Sequence, residues 1–114
     1  ILNLGIEYVI KVEQNVNRYD VLAICNRLVR NYFKEPREIG EPIVTTDVYK
    51  LLNSVRGVID TIDVKIVNKI GAEYSDVYLD INSSLSSDAT ELFIPKDHIV
   101  EFKYPSTDIK GAIK

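Results

Sequence analysis

From Leu4 to Glu13 the chain alternates: Leu4, Ile6, Tyr8, Ile10 and Val12 fall on one side and Gly5, Glu7, Val9, Lys11 and Glu13 on the other. A period of two predicts a strand with one buried face. The period then lengthens. Val21, Cys25, Leu28 and Tyr32 recur every three or four residues, widened by Leu22, Val29 and Phe33, which predicts an amphipathic helix. Asn17 is its expected N-cap, Asp20 places negative charge at the positive helix end, and Val16 is positioned to staple onto Val21. Glu35-Pro36 closes the helix, because proline disfavours helical geometry in the residue before it.

Arg37 to Pro42 reads as an ordered loop, and a second, shorter helix begins after Thr45 with Asp47 in its first turn. Its apolar stripe is Val48, Leu51, Leu52 and Val55. Gly57 supplies the left-handed residue that ends it, with Val58 folding back onto Leu52. Val58 to Asn68 is the next strand, with Ile62, Val64 and Ile66 predicted inward. Beyond Lys69 the periodicity fades. Val77 to Ile81 alternates enough for a short strand, whereas Ser83 to Ser87 is too polar for core and reads as a loop. Leu92 to Ile94 precedes Pro95, and Ile99 to Tyr104 is a last strand, interrupted by Pro105-Ser106. The tail from Asp108 to Lys114 is either a further short strand or a linker.

The order strand, helix, helix, strand, strand predicts an α+β domain, a small sheet with two helices packed on one face. Residues 1–114 form one domain in this reading, with 69–91 a loop or elaborated insertion. Ile6, Tyr8, Ile10, Leu28, Leu52, Ile62, Val64 and Ile66 are expected to share its core.

Composition narrows the task of this domain. Its 46% apolar and 27% charged residues are near the globular average, so disorder and coiled coil are disfavoured. A net charge of −3 leaves no basic excess to neutralise a phosphate backbone, so a protein partner fits better than nucleic acid. No run approaches the ~20 apolar residues of a membrane helix, and the first residues lack the pattern of a signal peptide. A soluble intracellular chain is expected. It begins at Ile1, without methionine and already in a strand pattern, as the C-terminal fragment of a longer protein would.

The residues that carry chemistry are sparse. His98 is the only histidine and sits in Pro95-Lys96-Asp97-His98, where an exposed turn residue is the simpler reading than a general base. Asp60 and Asp63, three apart on a strand, point to opposite faces rather than to one substrate. Asp76, Asp80 and Asp88 lack the tight alternation and glycine of a calcium loop, and no glycine forms a phosphate-binding turn. Cys25 has no thiol partner and is expected to be a small buried hydrophobe. Arg27, Arg30 and Lys34 line one side of the first helix and read as a solvated face. No catalytic residue, cofactor or metal site is assigned.

From Phe33 the succession becomes specific. Phe33 is followed by Ile39-Gly40-Glu41-Pro42-Ile43, then Thr46-Asp47-Val48-Tyr49, then Val55-x-Gly57-Val58-Ile59-Asp60-Thr61-Ile62-Asp63-Val64-Lys65-Ile66. This run resembles the C-terminal region of baseplate J-like proteins, the wedge subunits of contractile phage tails and related injection machines. The resemblance covers roughly the first seventy residues, and the serine-rich segment between Tyr74 and Tyr104 departs from its shorter form. It implies a structural virion protein of a myovirus-like baseplate, assembled in the host cytoplasm through contacts with other wedge proteins and copies of itself, and it brings no catalytic residue.

An assembly role needs a surface. Tyr74, Tyr78, Leu85, Phe102 and Tyr104 are the candidates, lying in or beside the weakly periodic region and along the expected edge strand. The alternatives are a small α+β ligand-binding or regulatory module and, from a different class, a small hydrolase using His98 and Asp97.

Overall fold

The computed structural model describes residues 1–114 and is a small α+β domain with a mixed sheet. Strand β1 (Leu2–Val12) is followed by helix α1 (Arg18–Tyr32), the short strand β2 (Ile43–Val44), helix α2 (Thr45–Asn53) and strand β3 (Val58–Asn68). The single helical turn α3 (Ile81–Ser84), strands β4 (Glu91–Leu92) and β5 (Val100–Glu101), the turn α4 (Pro105–Asp108) and strand β6 (Ile109–Ile113) complete it. β1 is the central strand. β3 runs antiparallel along one side of it, while β5 and then β6 run parallel along the other. β2 and β4 make a separate two-stranded ribbon.

The alternation of β1 decides where the core lies. Leu2, Leu4, Ile6, Tyr8 and Ile10 are almost completely buried, with α1 packed along β6 and α2 along β3. Asn17 caps α1 as expected, accepting hydrogen bonds from the backbone N–H of Tyr19 and Asp20. The buried stripe of α1 is Val21, Cys25 and Val29, continued by Phe33. Leu28 is therefore only half-buried and Tyr32 is exposed, a shift of one position from the stripe read off the sequence. Tyr32 instead donates its hydroxyl to Asp47 on α2 at 2.9 Å, joining the two helices at the surface.

Helix α2 starts at Thr45 without a side-chain cap, because its N-cap residue is Val44, which has no polar side-chain atom. The Thr45 hydroxyl donates to the Ala89 carbonyl at 2.8 Å and holds the segment before β4. Gly57 has φ +99°, the left-handed stop expected after α2. A side chain there would meet Val21 as well.

Two β-bulges correct the reading of β3. The register passes from Val9 opposite Asp63 to Ile10 opposite Thr61, leaving Ile62 as the extra residue. Parity changes at that point. Thr61 takes the inward position and donates its hydroxyl to Asn53 at 2.7 Å, while Ile62, expected in the core, is 42% exposed. Ile59 is extra at a second irregularity, between Asp60 opposite Lys11 and Val58 opposite Val12, and is exposed likewise. Ile66 is buried and Val64 partly so.

The second half differs more. Val77 to Ile81 makes no strand, and the final strand is only Val100–Glu101, shorter than the expected Ile99 to Tyr104. Residues 69–80 fold over the N-terminal end of β1, where buried Asn3 accepts from the Ser75 N–H at 2.6 Å and donates to the Glu101 carboxylate at 2.9 Å. The tail is a strand, not a linker. Gly111 of β6 lies opposite Tyr8, and α4 is the excursion that lets the chain leave β1 after β5 and rejoin it as β6.

Candidate assembly surface

The structure brings together two of the five residues expected at an interface. Tyr74 and Tyr104 stack edge to face at 5.6 Å between ring centroids. The Tyr74 hydroxyl donates to Asp108 at 2.9 Å, and this hydrogen bond raises its pKa above the ordinary tyrosine value. Asp108 is itself buried and also accepts from the Tyr104 N–H, so the pair closes the loop 69–80 onto α4. Tyr78 is 66% exposed and has no ring partner. Phe102 does not belong to a surface. It is in the core, its ring 4.9 Å from that of Phe33, because pairing of β5 with β1 turns it inward. Leu85 is half-buried and lines a groove at the far edge of β3.

The two edges of the sheet are treated differently. The β6 edge is covered by α1: Asn26 accepts from the Gly111 N–H at 3.1 Å, and the Arg30 guanidinium donates to the carbonyls of Pro105, Ser106 and Ile109. Arg30 therefore belongs to the fold rather than to the solvated face expected for it. Arg27 and Lys34 are exposed.

The β3 edge is covered only in part. Val64 lies opposite Tyr8, yet its N–H bonds the Tyr49 hydroxyl of α2 at 3.2 Å, so it points away from β1. By antiparallel alternation Ile66, opposite Ile6, also turns its backbone groups outward. At Asn68 the side-chain amide closes the edge, exchanging two hydrogen bonds with the Leu79 backbone. Between these two closures the Val64 carbonyl and the N–H and carbonyl of Ile66 have no partner in the chain. A groove of about 340 Å³ runs there, with Val64 and Ile66 along one wall, Ile81 and Leu85 along the other and Asp63 and Lys65 at its rim. Ala89, also lining the groove, has φ 59°, the one non-glycine residue with positive φ.

Sequence reasoning missed this edge because alternation shows that a segment is a strand but not which of its sides is left unpaired. Tyr49, an aromatic residue standing off the apolar stripe of α2, was the available signal.

The remaining candidates are accounted for locally. His98 is held against its neighbour Asp97 at 2.8 Å, a contact that lowers the Asp97 pKa, and its ring makes no other hydrogen bond. The His98 carbonyl accepts from the Gly40 N–H at 2.7 Å, which pins the Arg37 to Pro42 loop. Asp80 caps α3, and Asp88 accepts from the Thr90 and Ser86 side chains, which lowers its pKa. No three His, Cys, Asp or Glu side chains converge as metal ligands. Cys25 is completely buried, and burial pushes its thiol pKa up to about 11. On the sheet face away from the helices, Glu7 lies opposite Lys65 and Lys110, and Lys11 opposite Asp60. That arrangement of opposite charges suits a water-facing surface.

No helix is long and apolar enough to cross a membrane. No family model and no curated protein matches the chain.

Proposed function

We propose that this chain is a structural assembly module, a wedge subunit of a contractile-tail phage baseplate, binding other wedge proteins and copies of itself in the virion after assembly in the host cytoplasm. The observation that carries this reading is the succession from Phe33 to Ile66. The end of α1, a loop pinned at Gly40, a short helix with Asp47 in its first turn, a left-handed stop at Gly57 and the edge strand β3 follow one another as the baseplate J-like resemblance implies. The partly open β3 edge gives such a module a means of contact, since unpaired strand groups are satisfied by another chain.

The test is retention of partners. The purified chain, immobilised through a C-terminal tag, should retain wedge subunits from a lysate of cells producing tail proteins. Retention of none, together with normal tails from a phage deleted for the gene, contradicts the reading.

A further inference from the structure

We infer that the β3 edge groove binds an extended segment of a partner protein by strand addition, antiparallel to β3, with the pattern apolar, acidic, apolar, basic from N to C terminus. The inference takes from the assembly reading only the expectation that a partner exists.

The backbone sets the mode. The Val64 carbonyl and the N–H and carbonyl of Ile66 face the groove unpaired, spaced two residues apart as an added strand requires. Only an extended chain offers the complementary groups at that spacing. In the antiparallel sense its first residue lies opposite Ile66 and its third opposite Val64. Both side chains then enter the space bounded by Ile81 and Leu85, which selects aliphatic residues.

Charge sets the direction. The second and fourth residues lie opposite Lys65 and Asp63, both exposed, so an acidic residue followed by a basic one forms two cross-strand pairs. Reversing those two charges places like beside like at both positions.

Size sets the kind of partner. A stable contact between two folded surfaces buries at least about 1,000 Å², whereas this groove of about 340 Å³ takes one or two aliphatic side chains. It is also lined on its far side by Ile81 and Asn82 of α3 and by Leu85. A second copy would have to bring its own β3 with the same walls attached. A short linear segment fits where a folded face does not. Tyr49 adds a control, because its hydroxyl occupies the Val64 N–H, the one outward donor of this stretch that is already bonded.

The experiment uses the 114-residue chain and the peptide acetyl-Ser-Ile-Glu-Val-Lys-Ser-amide, with acetyl-Ser-Ile-Lys-Val-Glu-Ser-amide as the charge-swapped control. Titration followed by amide NMR should shift Ile66, Lys65 and Leu85 and slow exchange of the Ile66 amide. The swapped peptide should bind about fivefold more weakly, from two cross-strand pairs lost. Leu85→Asp should abolish binding with the circular dichroism spectrum unchanged, and Tyr49→Phe should bind the first peptide more tightly by freeing the Val64 N–H. Equal binding of both peptides, an unshifted Ile66 amide, or protection of that amide by protein concentration alone, which would mark a second copy as the occupant, overturns the inference. The chain found in baseplates without peptide binding would remove only this inference. Peptide binding by a chain absent from baseplates would remove only the assignment to the phage tail.

Discussion

The ring of Tyr8 lies across Gly111, its neighbour on β6, so closely that a Cβ at position 111 would clash with the ring's Cε2. Its hydroxyl reaches Asn26 on α1, which also accepts from the Gly111 N–H. One tyrosine therefore ties the central strand, the C-terminal strand and the first helix together. Gly111→Ala should destabilise the fold by about 1–3 kcal/mol through overpacking, measured by urea denaturation. A cost near zero would show that the ring has room to move.

Ile62 and Ile66 look alike in the sequence and should behave differently. Ile66→Ala removes a buried side chain facing the helices and should cost about 2–4 kcal/mol. Ile62→Ala, at the exposed bulge, should cost under about 0.5 kcal/mol. Equal costs in chemical denaturation would mean the bulge is misplaced.

Backbone conformation separates another pair. Gly57→Ala forces a side chain onto a left-handed residue and against Val21, and should destabilise by about 1 kcal/mol or more. Ala89→Gly relieves the same kind of conformation and should be neutral or stabilise by up to about 1 kcal/mol. Thermal unfolding of both variants checks the pair, and a destabilised Ala89→Gly would contradict it.

Burial raises the Cys25 thiol from its ordinary value of 9.0 to about 11. The folded state therefore holds this proton more tightly than the unfolded chain. The stability it contributes is complete below pH 9 and is lost as pH rises from 9 to 11. Tyr8, also raised chiefly by burial, adds to the loss at higher pH. The slope of unfolding free energy against pH in that window should be shallower in Cys25→Ala, whatever its absolute stability. An identical slope would show that other groups carry the dependence.

The first half of the fold was legible because its signals are local: alternation in β1, the Asn17 cap, the Gly57 stop and the stripe of α2 each act within a few residues. What was hidden depends on pairing between distant segments. The bulge at Ile62 arises from register against β1, and the strand character of Ile109–Ile113 from a place beside β1 that no local pattern announces. The candidate surface was harder still. Its aromatic residues were visible, but Asp108 draws Tyr74 inward and Phe33 receives Phe102, and the unpaired groups of Val64 and Ile66 are backbone atoms that any sequence would carry.

The proposal that organises this reading is that the chain is built into a contractile tail. Quantitative mass spectrometry of contractile-tail particles purified from cells that produce this chain tests this directly. The account predicts its peptides in a fixed ratio to the other wedge subunits, retained when the sheath is stripped from the baseplate. Their absence from particles whose remaining wedge proteins are present would contradict it.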